Sequence, residues 1–579
     1  MKYRWTIAPP QPLLAEQLAA SLKLSPLLAQ CLLNRGLSEP PLIENFLAPR
    51  LKNLADPFLL PDMARAVDRL LLAREREETL VIFGDYDVDG VTSTTLLLEV
   101  FQRLGWPAQA YLPNRLDEGY GLSPEGVENC LKKYPASLLL AVDCGSTAGE
   151  TIAWLAGRGV EVIVLDHHQV SSPPPAVVAL VNPRAAAGRS GAEDAPPFAE
   201  LCSVGLAFKL AHAILKRGRQ TGLPGALEFD LRPLLDLVAL GTIADIVPLT
   251  GENRILVTAG LEKLNTTQRP GLIALTQVAQ SPERLGTHDV GFQLAPRLNA
   301  AGRLETAEDA LHLLQAETVE EALPLAQNLD ARNRERQKIE KTIVDEVIST
   351  VRQKFDAQKD FVIVEGRLMW HIGVVGIVAS RVLQEFYRPT LIIGGENGEM
   401  RGSGRSIAGF DLAAALRECD DLLLRHGGHA MAAGLSVAPD KLDALRERLN
   451  TIARRLLPPA DLQPRLRLDA EVRLAEIQLD SLAELDQLKP TGQGNPPLQF
   501  CARGVASQKP PYRMGAGKQH VKLWVGDGAV THEAVWWNAG NSALPAGKFD
   551  LAFAPTVNHF NGRAAVQLKV LDWRVADGG

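Results

Sequence analysis

The sequence predicts a multidomain α/β protein: a parallel, helix-covered sheet, a long connecting helix, a second α/β unit and a C-terminal β-barrel. Three observations carry this prediction. From about residue 57 to 185, apolar runs of strand composition alternate with helical patterns, as a mostly parallel sheet requires. From about 326 a long polar helix follows, with Leu329, Ile339, Ile343, Val347 and Val351 on one stripe. Beyond 460 the chain turns to short strands with interleaved aromatics. At 579 residues it is too long for one core. The expected domains are a helical segment over 1–55, the α/β domain over 56–325, the connecting helix over 326–358, a second α/β domain over 359–456 and the barrel over 460–579.

In order, the Leu- and Pro-rich first 55 residues read as helical. A helix over Met63–Arg74 leads to the strand at 79–84 (TLVIFG) and a helix to about Leu104. Further strands are expected at 136–142, 161–165 and 176–181, with helix at Thr151–Gly157 and mainly helix over 200–310. In such sheets ligands bind at the carboxyl ends of the strands, and acids recur there. Asp85, Asp87 and Asp89 follow the first strand at alternate positions, Asp143 follows LLLAV, and Asp166-His167-His168 follows VIVL. Asp245 ends a later apolar stretch, LLDLVALGTIADIVPL. Three carboxylates at one strand end repel one another unless a cation sits between them. A calcium-binding EF-hand loop is excluded, because its twelfth position must be a bidentate Glu and is Leu96 here. Hard oxygens with imidazole suit two divalent cations, manganese or magnesium. Such a pair supplies what phosphodiester hydrolysis needs, an activated nucleophile and charge against the leaving oxygen.

Other residues fit phosphate contact. Arg115 lies in the glycine-punctuated YLPNRLDEGYGLS, and Arg297, Asn299 and Arg303 in APRLNAAGRLE. The second α/β unit, with strands at 361–366 and 390–395 and a helix over 375–385, carries two glycine-rich stretches read as loops, 398–407 and 426–434. Arg405, Ser406 and His429 are donors there. The strands expected at 520–526, 531–537, 549–555 and 564–573 suit an oligonucleotide-binding type of barrel, with His520, Lys522, Trp536 and Trp537 as contacts. Six scattered cysteines without a C-x-x-C pair indicate neither zinc nor disulfides. No segment has the length and apolarity of a membrane span or a signal peptide, so a cytoplasmic protein is expected. A net charge of −7 argues against indiscriminate nucleic-acid coating, though not against a local basic groove.

GDYDVDGVTST, AVDCGS, VLDHHQ and ALGTIADIVPL resemble, in that order, the four motifs of the DHH phosphoesterase family. WHIGVVGIVASR, GSGRS and GGHAMAAG resemble its associated domain. PNRLDEGYGLSPE, APRLNAAGRL and the C-terminal barrel narrow the likeness to the family's single-strand-specific 5′-to-3′ exonucleases, over roughly residues 30 to 575. The resemblance implies hydrolysis of single-stranded DNA to mononucleotides with two Mn2+ or Mg2+ ions, in DNA repair and recombination. By matching position it makes Asp85, Asp87, Asp89, Asp143, His167 and Asp245 metal ligands, with Asp143 bridging. His168 would act on the scissile phosphate, and Asp166 would orient the histidines. Arg297, Asn299, Arg405, Ser406 and His429 would hold the DNA backbone. The partners implied are single-stranded DNA, a single-strand-binding protein and a RecQ-type helicase. The chain departs from the family pattern at CGST, where Ile often follows the glycine, and at KPTGQGNPPLQF, where Thr491 replaces an aromatic. The second departure bears on strand contacts at the barrel. Two alternatives stand beside this reading: a phosphodiesterase for nanoRNA or cyclic dinucleotides, and an inactive single-strand-binding scaffold. Length and the 460–579 segment oppose the first; the intact ligand set opposes the second.

Overall fold

The computed structural model describes residues 3–114, 117–119, 121–186, 196, 198–304, 306–396, 399–540, 542–560 and 562–576. The chain forms two compact units, one of residues 48–339 with 490–495, the other of residues 1–47, 340–489 and 496–579.

The first unit is built on five parallel strands in the order Ala108–Tyr111, Leu80–Phe83, Leu138–Val142, Glu161–Leu165, Ala179–Val181. The central strands are near-continuous apolar runs because both faces are covered. Alternate residues feed two cores. Ile82, Leu140 and Ile163 pack with the helices Met63–Glu75, Val88–Arg103 and Ser203–Thr221. Val81, Leu139 and Val162 pack with Pro124–Lys133 and Gly149–Ala156. The Ala108–Tyr111 strand is absent from the sequence-based expectation. Its composition, AQAY, lacks the apolar run because it is an edge strand, paired among the described strands with Leu80–Phe83 alone. Residues 203–304 are mainly helical, as expected. The connecting helix spans Val319–Lys354 and so starts earlier than predicted. Pro324 reads as a helix stop, but it lies in the second turn, where few backbone bonds are lost.

In the second unit a mixed sheet has the order Leu423–Gly428, Ala432–Val437, Glu399–Arg405, Thr390–Glu396, Ile363–Gly366. This corrects the reading of both glycine-rich stretches as loops, for most of each is strand. In the first stretch Gly402 and Gly404 serve close packing instead. A Cβ on Gly404 would lie 2.5 Å from Leu412 Cδ2, and one on Gly402 would lie 2.7 Å from Ile393 Cγ1. The C-terminal strands close a ring. Phe500–Ser507, Lys548–Phe560, Arg563–Val575, Thr531–Trp536 and His520–Gly526 are consecutive neighbours, and His520–Gly526 pairs back onto Phe500–Ser507. The N-terminal segment contains a strand as well as helices. Arg4–Ile7 pairs in parallel with Arg465–Leu468. Leu28, Leu32 and Ile43 of the following helices share one core with Phe500, Phe549 and Leu551 of the ring.

Candidate metal centre

Every acid of the four motifs lies at the carboxyl edge of the parallel sheet or at a helix end beside it. The turn after Leu80–Phe83 needs a glycine at its helix side, because a Cβ on Gly90 would sit 2.5 Å from the Asp85 carbonyl oxygen. Asp87 caps the following helix, its Oδ1 accepting from the Asp89 and Gly90 N–H groups at 2.9 and 3.1 Å. Asp89 is buried, and its two oxygens accept from the Ser203 and Val204 N–H groups at 2.7 and 2.8 Å. Asp143 takes a left-handed backbone (φ 65°) at its strand end, and its Oδ1 accepts from Ser203 Oγ at 2.9 Å. Asp245 caps the C-terminal end of Leu235–Ala244, a helix end rather than a strand end.

These side chains converge. Oxygens of Asp85, Asp87 and Asp143 lie within 4.8 Å of one another, as do ligating atoms of Asp143, His167 and His168, and of Asp89, Cys202 and Asp245. His167 Nε2 is 3.5 Å from Asp143 Oδ1, 3.5 Å from Asp245 Oδ2 and 3.8 Å from Asp89 Oδ2. Yet His167 Nε2 and Asp245 Oδ2 are buried without a hydrogen-bond partner among the described residues. Burial, together with Asp89, Asp87 and Asp85, raises the Asp143 carboxyl well above its ordinary range. Burial first and then Asp89 and Asp87 push Asp245 up to about 9. Burial and the neighbouring His168 lower His167 to about 3, so it keeps the neutral form a ligand requires. Crowded carboxylates, a neutral imidazole and two orphaned ligating atoms fit bound divalent cations. Cys202 is pushed well above its ordinary range by burial and the nearby acids, so it stays a thiol beside a hard-oxygen site.

Asp166 is a hub. Its Oδ1 accepts from the His167 and His168 N–H groups at 2.8 and 3.1 Å and lies 2.8 Å from His168 Nδ1; Oδ2 accepts from the Ser146 N–H at 3.1 Å. Burial opposes its charge, but these contacts, led by His168, hold the carboxyl well below its ordinary range. An ionised carboxylate only accepts, so His168 Nδ1 carries the proton. Burial would lower His168, yet the Asp166 contact raises it to about 9. Asn182 completes the support, its amide donating to Ser146 Oγ at 2.8 Å and to the His168 carbonyl at 2.9 Å.

The proposed phosphate contacts are placed less uniformly. Arg115 lies outside the described residues. Asn299 Oδ1 accepts from the Val88 N–H at 3.2 Å, at the start of the acid-bearing helix. Arg297 is paired with Asp330 at 2.9 Å and donates to the Gln293 carbonyl, and Arg303 shares its helix. In the second unit, Arg405 ends a strand and donates to Ser403 Oγ and the Gly404 carbonyl. The buried Ser406 hydroxyl donates to the Phe410 carbonyl at 2.7 Å, whereas His429 is exposed in a tight turn. On the ring, Lys522 is paired with Glu533, Trp536 packs on the core, and Trp537 is exposed with its ring edge-on to His520. Sequence reasoning missed Ser203 and Asn182. Ser203 carries no motif signal, while Asn182 could have been noticed as a polar residue directly after the strand Ala179–Val181.

This site and fold define a DHH phosphoesterase. The family model for the DHH N-terminal domain matches residues 79–242, the DHHA1 domain 359–455 and the RecJ OB domain 468–572. The single-stranded-DNA-specific exonuclease RecJ of Bacillus subtilis is 37% identical over 582 residues, covering 100% of this chain and 71% of the relative. The crystal structure of Thermus thermophilus RecJ in complex with Mn2+ matches with a TM-score of 0.84 at 30% identity, over 100% of this chain and 80% of that one. The Mg2+ complex matches with a TM-score of 0.78 at 28% identity, over 100% and 79%. The chain belongs to the RecJ family.

Proposed function

We propose that the chain removes mononucleotides from single-stranded DNA in the 5′-to-3′ direction, using two Mn2+ or Mg2+ ions. It is an exodeoxyribonuclease, a hydrolase of phosphodiester bonds. The observation that carries the site is the meeting of Asp85, Asp87, Asp89, Asp143, His167 and Asp245 around two buried ligating atoms that have no hydrogen-bond partner among the described residues. Those six residues would hold the ions. Bound there, divalent cations supply an activated nucleophile and charge against the phosphate and the leaving oxygen.

The chain's own residues do the rest. The Asp166 carboxylate fixes His168 through Nδ1–H, so the imidazolium presents Nε2–H to a phosphate oxygen or to the departing group. Ser146 and Asn182 hold Asp166 and the His168 backbone, so the imidazole turns little when substrate arrives. Ser203 Oγ and the Ser203 and Val204 N–H groups fix one oxygen of Asp143 and both of Asp89, which sets the directions of their remaining lone pairs. Asn299 ties the 295–304 helix to the start of the acid-bearing helix, and Arg297, Arg303, Arg405, Ser406 and His429 are the proposed contacts to the DNA backbone. No helix among the described residues is long and apolar enough to cross a membrane. The proposed setting is the cytoplasm, with a single-strand-binding protein and a RecQ-type helicase supplying substrate.

The test is digestion of single-stranded DNA labelled separately at its 5′ and 3′ ends, with Mn2+. Blunt duplex and the Asp143→Ala protein are controls. Immediate release of 5′-labelled mononucleotide, absent in both controls, is expected. Cleavage of dinucleotides alone would favour the small-substrate enzyme, and no cleavage of either would favour the scaffold.

A further inference from the structure

Residues 490–495, PTGQGN, interrupt the sequence of the second unit yet pack inside the first. They form a miniature hairpin closed by Gly492 N–H to the Asn495 carbonyl at 2.8 Å and Asn495 N–H to the Gly492 carbonyl at 3.2 Å. The fully buried Asn495 side chain locks it, donating to the Pro490 carbonyl at 2.8 Å.

The hairpin grips the chain just after Asp245. The Leu249 N–H donates to the Gln493 carbonyl at 2.7 Å. The buried Arg254 guanidinium donates to the Pro490 carbonyl at 3.3 Å. A Cβ on Gly492 would lie 2.8 Å from Leu249 Cδ1, and one on Gly494 (φ 72°) would lie 2.9 Å from Pro248 Cβ. Asn253 secures the same stretch from the other side, its amide donating to the Pro248 carbonyl at 3.0 Å. Between this grip and Asp245 stands Ile246, a β-branched residue in the left-handed region (φ 59°) and largely exposed. Such a conformation persists only where its surroundings impose it. The hairpin also accepts, at the Thr491 carbonyl, the Thr287 hydroxyl at 2.8 Å, where the helical segment leading to Arg297 and Asn299 begins.

From this we propose that residues 490–495 are a positioning element for Asp245. The hairpin imposes the left-handed turn at Ile246 and so holds the Asp245 carboxylate beside His167 and Asp89, where it would serve as a ligand. The stretch that departs from the family pattern at Thr491 thus belongs to the metal-bearing unit. Only the carbonyl of Thr491 is used in the Thr287 bond, so loss of an aromatic at this position leaves that bond intact.

This inference rests on the metal reading above, and its experiment separates the two. Gly494→Val drives a side chain into Pro248. Bound Mn2+ is counted by electron paramagnetic resonance, beside kcat and KM on a single-stranded oligonucleotide. Expected are a dissociation constant raised about tenfold or more for one ion, a fall in kcat and a KM changed less than about twofold. A folded Gly494→Val protein with parental Mn2+ affinity and kcat overturns the proposal. If that variant does not fold, Thr287→Val and Thr287→Ser decide. Weakened Mn2+ binding in the first, restored in the second, supports the proposal, and parental binding in both overturns it. A parent protein that binds no Mn2+ would sink the metal reading itself, and this inference with it.

Discussion

Asp143 illustrates the conflict between stability and chemistry at single residues. It is a buried carboxylate among four others, in a backbone conformation that side chains rarely adopt. Asp143→Asn keeps an oxygen for Ser203 and removes a carboxyl whose ionisation burial and its acidic neighbours oppose. It should abolish hydrolysis while raising the stability of the metal-free protein by about 1–3 kcal/mol. Calorimetry in chelator, with and without added Mn2+, checks this; the variant should lose most of the stabilisation by Mn2+. The same residues set a pH dependence. Asp245 and His168, each pushed up to about 9, bind protons more tightly folded than unfolded. The stability they contribute is full below their unfolded values and is lost as pH rises through about 9. Between pH 6.5 and 9 both act together, so the melting temperature in chelator should fall across that window. Mn2+ should stabilise more as pH rises, because binding at Asp245 displaces the proton that carboxyl holds. A melting temperature that climbs from pH 6.5 to 9 would contradict the placement of both groups.

Among the elements, the 295–304 helix supports the acidic turn. A Cβ on Gly302 would lie 2.8 Å from the Tyr86 carbonyl oxygen. Gly302→Ala should therefore cost about 1–3 kcal/mol and lower kcat more than it raises KM, measured by denaturant melts and steady-state kinetics. This helix also shows where sequence reading reaches its limit. The strand ends at Phe83, Val142 and Leu165 were legible because both faces are buried and an acid follows each run, directly at Asp143 and Asp166 and after Gly84 at Asp85. Asn299 was legible only as a donor, although in the fold its oxygen accepts from Val88 N–H. The edge strand at 108–111 and the glycine-bearing strands at 399–405 and 432–437 were invisible for different reasons. The first has no apolar run to recognise. The strand at 399–405 spends Gly402 and Gly404 on close packing, which composition cannot distinguish from a turn. The one at 432–437 is too rich in Ala and Gly to show an apolar run. The 490–495 hairpin was equally hidden, since its partners lie more than two hundred residues earlier in the chain.

For the whole molecule, the interleaving of chain segments redefines what a truncation tests. Removing residues 460–579 takes away Phe500, Phe549 and Leu551, on which Leu28 and Leu32 pack, and the 490–495 hairpin as well. The expected result is an aggregating protein with weakened Mn2+ binding, seen by light scattering and metal titration, and not a clean loss of processivity. A point change addresses the ring better. Trp537 is 48% exposed beside His520, and Trp537→Ala should weaken binding of long single strands by about 1–3 kcal/mol. Turnover of oligonucleotides too short to reach the ring should be unchanged.

The pairing of the two ends of the chain has a bearing on biosynthesis. The Trp5 indole donates to Asp572 across a separation of 567 residues, and Arg4–Ile7 finds its strand partner only at Arg465–Leu468. A ribosome adding about 5–20 residues per second exposes the first helices for about half a minute to two minutes before their partners exist. The sheet carrying the acids can close long before then. The nascent chain thus carries an early phosphoesterase core and, ahead of it, an apolar segment that must be kept from other chains until the ring strands that cover it are made.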